Sequence, residues 1–78
     1  MALHTSARNR LPGVVTRLKL GDIVAQVDVR VGDNHIVSVI TREAVDDLNL
    51  KEGDEVLVIV KATEVMIAKS EGGLSSSD

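Results

Sequence analysis

A chain of 78 residues, 44% hydrophobic and 27% charged, has room for one small domain and is too apolar and too evenly charged to remain unfolded. With no cysteine it has neither a disulfide scaffold nor a thiolate metal site, and with no Phe, Trp or Tyr it has no surface on which bases could stack. The net charge of −3 disfavours a phosphate-tracking groove. No apolar run nears the ~20 residues of a membrane span and no signal peptide opens the chain, so a soluble, cytoplasmic protein without membrane contact is expected.

Residues 1–5 carry no pattern and are expected to be flexible. Ser6-Ala7-Arg8-Asn9 is a polar cluster that opens the first strand. Val14, Thr16, Leu18 and Leu20 then alternate with Val15, Arg17 and Lys19; beyond Gly21-Asp22, Ile23, Ala25, Val27, Val29 and Val31 alternate with Val24, Gln26, Asp28 and Arg30. This period of two predicts a hairpin whose second strand is half-buried. Gly32-Asp33-Asn34 supplies a second turn, and His35 to Ile40 reads as a third strand. From Thr41, read as the N-cap, the spacing of Ala44, Val45 and Leu48 predicts a short helix with Glu43 in its first turn. Leu50 to Asp54 leads out through a turn to two further strands, Glu55 to Val60 and Glu64 to Ala68, separated by Lys61-Ala62-Thr63. The Ser/Gly-rich stretch 70–78 reads as a disordered tail, leaving 6–69 as the folded domain.

Three strands, a short helix and two strands are the order of an all-β, five-stranded Greek-key barrel of the oligonucleotide/oligosaccharide-binding type; an open antiparallel sandwich is the alternative. Val56 to Val60 is apolar on both faces, more than a lone small sheet can bury, and a core this small needs a disulfide, a metal or a partner subunit for stability. An oligomer is therefore expected, with another subunit over the last two strands.

An enzyme is hard to build from these residues. His4 and His35 have no Ser-Asp or Cys companion and read as surface side chains. The carboxylates of Asp46-Asp47 and Asp54-Glu55 diverge on regular structure, so no metal site is expected. Gly13, Gly21, Gly32 and Gly53 are isolated and read as turn residues. The two clusters Ser6-Ala7-Arg8-Asn9 and Lys61-Ala62-Thr63 instead combine cations, hydroxyls and free amides, the donor set that suits a small dianionic oxyanion.

Thr5-Ser6-Ala7-Arg8-Asn9, Gly13-Val14-Val15, Ser38-Val39-Ile40-Thr41, Leu50-Lys51-Glu52-Gly53-Asp54-Glu55-Val56 and Val60-Lys61-Ala62-Thr63-Glu64-Val65-Met66-Ile67-Ala68, in that order, closely resemble the molbindins, small molybdate-binding proteins built from the Mop or TOBE domain and also called molybdenum-pterin-binding proteins. The resemblance implies a barrel assembling as a hexamer, a trimer of dimers, that binds molybdate or tungstate between subunits for molybdenum storage or homeostasis, without catalysis. By the same resemblance, Ser6 and Arg8 match binding positions, with Ala7 and Asn9 as backbone or support. Thr41 matches a hydroxyl at the strand-to-helix junction, and Lys61, Ala62 and Thr63 match a second anion-contacting segment. Ala44 stands where some relatives place another hydroxyl. The rival classes are a nucleic-acid-binding module of the same barrel type and a purely structural assembly domain.

Overall fold

The computed structural model describes residues 4–71. Its elements are β1 (Asn9–Leu20), β2 (Val24–Val31), β3 (Asn34–Thr41), α1 (Arg42–Leu48) and β4 (Glu55–Val60), with one 3-10 turn at Ala62–Glu64. Every pairing is antiparallel and the sheet order is β3-β2-β1-β4. The first three strands form a meander and β4 returns to lie beside β1, which is the Greek-key order. Among the described residues no helix is long and apolar enough to cross a membrane.

β1 serves two neighbours in succession. Its residues Asn9 to Val14 pair with β4, and Val14 to Leu20 pair with β2. Between Val15 and Arg17 the register shifts, leaving Thr16 as a bulge that bends the strand. At this bend the β4 side is sealed by the Val15 N–H, which donates to the Asp54 carbonyl at 2.9 Å, and by the Gly53 N–H, which donates to the Val15 carbonyl at 2.8 Å. Pro12 is tolerated because the β2 ladder has already ended at Val14↔Arg30, so Pro12 pairs only towards Leu57 of β4. Gly13 lies mid-strand rather than in the turn expected from sequence. A Cβ there would stand 2.7 Å from the Arg30 carbonyl oxygen, so the close approach of β2 requires glycine.

The core is Val15, Ala25, Val27, Val29 and Val45, with Leu18, Val31, Ile40, Leu50, Val56 and Val58 packed against it. The odd-numbered alternation of β2 is thus the buried face, although Ile23 lies before the strand and is exposed. The helix forms where the sequence predicts it. Thr41 Oγ1 accepts the Ala44 N–H at 3.0 Å, Asn49 closes the other end in the left-handed region (φ 52°), and Val45 is the side chain it buries.

Two further readings change. Asp28, on the polar side of the alternation in β2, is buried, because its carboxylate is satisfied by its neighbours: Gln26 Nε2 donates to one oxygen at 2.9 Å and His35 Nε2 lies 3.0 Å from the other. His35 is brought there by the hairpin register, which pairs Asp28 with Val37 and leaves His35 diagonal to it.

The second change concerns the fifth strand. Glu64 to Ala68 is not a strand: the chain turns through Ala62–Glu64 and then runs without a ladder partner, its apolar side chains Val65, Met66 and Ile67 exposed. Strand propensity orders a segment only where an edge accepts its backbone hydrogen bonds, and this segment does not return along β4. Among the described residues the sheet therefore has four strands, with β3 and β4 at its edges. It is nonetheless rolled, since Ser38 and Ile40 of β3 and Leu57 and Ile59 of β4 line the same apolar cleft of about 180 Å³. The tail expected at 70–78 falls, from residue 72 on, outside the described residues.

Candidate functional site

Antiparallel pairing of β1 with β4 ends at Asn9↔Val60, so the chain entering β1 and the chain leaving β4 emerge at the same end of the sheet. There, two segments far apart in sequence meet around a recess of about 400 Å³ lined by Thr5, Ser6, Ala7, Arg8, Ile59, Lys61, Ala62 and Thr63. Among the described residues the lining contains two cationic side chains and three hydroxyls and no carboxylate. Two of the sequence-predicted clusters are therefore one place in the fold.

The individual roles differ from one residue to the next. Ser6, Arg8 and Lys61 are exposed, and among the described residues their polar ends have no partner. The Ala7 N–H is already engaged, donating to Thr5 Oγ1 at 3.1 Å. Asn9 is set back from the recess, and its Nδ2 donates to the Val60 carbonyl at 3.2 Å. Ala62 and Thr63 begin the 3-10 turn, whose closing bonds run from the Glu64 N–H to the Lys61 carbonyl and from the Val65 N–H to the Ala62 carbonyl. Their own N–H groups precede those bonds and, among the described residues, have no partner.

Thr41 is not brought to this recess. It lines another of about 490 Å³ with Asp22, Ile23, Arg42, Glu43 and Asp46, where three carboxylates face one guanidinium. Its hydroxyl oxygen is occupied as the helix cap, while the hydroxyl proton is still available for donation. Among the described residues no three or more His, Cys, Asp or Glu side chains are grouped as metal ligands would be.

Sequence reasoning missed Thr5, which it left in the flexible start. The signal was present: a Thr two residues before an amide it can accept from is a recurring side-chain-to-backbone turn. It also missed the Gln26–Asp28–His35 group, where the Gln26 hydrogen bond, then the His35 hydrogen bond and charge, hold the Asp28 carboxyl below its ordinary value against the opposing cost of burial.

Residues 5–67, from the first lining residue of the recess to the exposed apolar segment beyond it, match the model of the TOBE domain. The chain belongs to the TOBE domain family. Among its relatives, molybdenum-pterin-binding protein 1 of Clostridium pasteurianum is 46% identical over 66 residues, which is 83% of this chain and 97% of that protein. A molybdate-binding protein from Sporomusa ovata superposes with a TM-score of 0.82 at 34% identity, covering 86% of this TOBE chain and all of the other. The cytoplasmic molybdate-binding protein ModG, in a form with molybdate bound, superposes with a TM-score of 0.73 at 39% identity, covering 77% of this chain and 43% of ModG. The fold of this TOBE domain is thus the one carried by proteins named for binding molybdate or a molybdenum-pterin.

Proposed function

We propose that the protein binds molybdate or tungstate in the cytoplasm, non-catalytically, as part of molybdenum storage or homeostasis. The observation that carries this reading is the donor-only recess: Arg8, Lys61 and the Ser6 and Thr63 hydroxyls converge from two ends of the chain with no carboxylate among them, in a protein whose net charge is −3. A cation in contact with an anion at ~4 Å contributes about 1 kcal/mol per unit charge at the dielectric of water and about 4 kcal/mol at an effective dielectric of 20, whereas charges beyond ~8–10 Å are screened, so the local pair outweighs the distant field. Molybdate at neutral pH is a fully deprotonated tetrahedral dianion that only accepts hydrogen bonds. Phosphate is partly protonated, and its proton would face donors. Sulfate has equal charge and is smaller, so discrimination against it rests on how far apart the donors stand. The molybdate- and molybdenum-pterin-binding relatives support the same reading.

The complete site, in this reading, is shared between copies of the chain. Thr41 is held in a separate recess of its own protomer, so its hydroxyl reaches the oxyanion only from a neighbouring subunit. The exposed Val65, Met66 and Ile67 and the free edges of β3 and β4 around an apolar cleft are complementary, the one lacking a ladder and the other lacking cover. Joined between copies they supply the fifth strand, and the assembly is a hexamer built as a trimer of dimers.

Equilibrium dialysis against molybdate, with sulfate, phosphate and single-stranded DNA in parallel, tests the ligand; retention of DNA instead of molybdate overturns it in favour of a nucleic-acid module, and retention of nothing in favour of a structural one. Sedimentation velocity tests the assembly, and a stable monomer at micromolar concentration refutes it.

A further inference from the structure

We propose that Thr5 and Asn9 are positioning residues that fix the shape of the Ser6–Arg8 segment before the oxyanion arrives. This rests on the recess at 5–8 and 61–63 being the oxyanion site. The segment carries the Ser6 hydroxyl and the Arg8 guanidinium outside any strand, where an unrestrained backbone would lose conformational freedom on binding. It is instead pinned at both ends. At the start, Thr5 Oγ1 accepts the Ala7 N–H at 3.1 Å, closing a turn around Ser6. At the end, Asn9 enters the β1–β4 ladder opposite Val60, and its side-chain amide adds a second tie to the same residue, donating to the Val60 carbonyl at 3.2 Å.

That second tie acts on both halves of the recess. The Val60 carbonyl and the Lys61 N–H belong to one planar peptide unit, so holding the carbonyl sets the direction of the Lys61 amide and the start of the 61–63 segment. The Asn9 amide thereby couples the entry segment to the exit segment without itself lining the recess. Thr5 differs in standing at the rim, but its hydroxyl oxygen is committed to Ala7.

Calorimetric titration of the full chain with molybdate tests the proposal in the parent, Thr5→Val, Thr5→Ser and Asn9→Ala. Thr5 is exposed, so neither of its variants disturbs folding. Loss of one hydrogen bond that preorganises the loop is expected to weaken binding about three- to tenfold in Thr5→Val and Asn9→Ala, with Thr5→Ser within about twofold of the parent. In the nitrogen–proton spectrum of the parent, the Lys61, Ala62 and Thr63 backbone amides are expected to move on adding molybdate while the Asn9 side-chain amide stays in place. Parent-like binding by Thr5→Val, or binding by Thr5→Ser as weak as that of Thr5→Val, overturns the role of Thr5; a large shift of the Asn9 side-chain amide makes Asn9 a direct ligand and overturns its role. Should Asn9→Ala fail to fold, the Thr5 pair and the spectrum decide. A parent that does not bind molybdate overturns the oxyanion reading itself, a result distinct from variants that merely match a binding parent.

Discussion

Replacing Lys61 by alanine is expected to weaken molybdate binding while leaving the domain folded. Lys61 is exposed at the recess, in an extended conformation just before the 3-10 turn, and its side chain makes no capping hydrogen bond there. The magnitude follows from its exposure. In contact with a dianion at ~4 Å, one cation contributes about 2 kcal/mol at the dielectric of water and about 8 kcal/mol at an effective dielectric of 20. Solvent around an open recess places the effect near the lower figure, in the range of about 1.5–3 kcal/mol found for hydrogen bonds to charged groups. Affinity should therefore fall roughly ten- to a hundredfold, and the difference should shrink with added salt.

Lys51 is the control. It has the same charge and lies in the turn before β4, its N–H donating to Asp54 Oδ2 at 2.9 Å. The length of β4, from Glu55 to Val60, puts about 17 Å of strand between that turn and the recess. This exceeds the ~8–10 Å screening length, so Lys51→Ala should bind as the parent does. Titration calorimetry on both variants is the assay. Lys61→Ala with parental affinity, or equal losses in the two variants, would refute the reasoning.

Gly13→Ala should destabilise the domain, because its Cβ would meet the Arg30 carbonyl oxygen and Val29 Cγ1, both at 2.7 Å. Overpacking of about 1–3 kcal/mol, partly offset by the stiffer unfolded chain, should lower the melting temperature by roughly 5–15 °C. Thr41→Ala removes the cap of α1 and should cost about 1 kcal/mol, seen as a lower denaturation midpoint that Thr41→Ser restores. Asp28 should contribute to the acid limb of stability. Its folded carboxyl is held below the ordinary value, so its contribution is present above the unfolded value near ~4 and is lost as pH falls through the folded one. Thermal melts across the acid range should accordingly fall more steeply with decreasing pH in the parent than in Asp28→Asn.

Much of this molecule is legible in its sequence because the relevant forces are local. Period-two burial gave β2 its inner face through Ala25, Val27 and Val29, the Thr41 hydroxyl and the Val45 spacing gave α1, and the order of the elements implied the Greek key. The two donor-rich clusters were visible as residue types. What joined them was the antiparallel pairing of Asn9 with Val60, a contact across 51 positions that no local pattern encodes. The same kind of long-range pairing decided that Gly13 sits beneath β2 rather than in a turn, that Asp28 is buried beside His35, and that Thr41 stands apart from the recess. It also decided the fate of Glu64 to Ala68: the sequence determined its strand-forming and apolar character, but a strand exists only where an edge completes its hydrogen bonds, and within one chain the folded sheet offers this segment none.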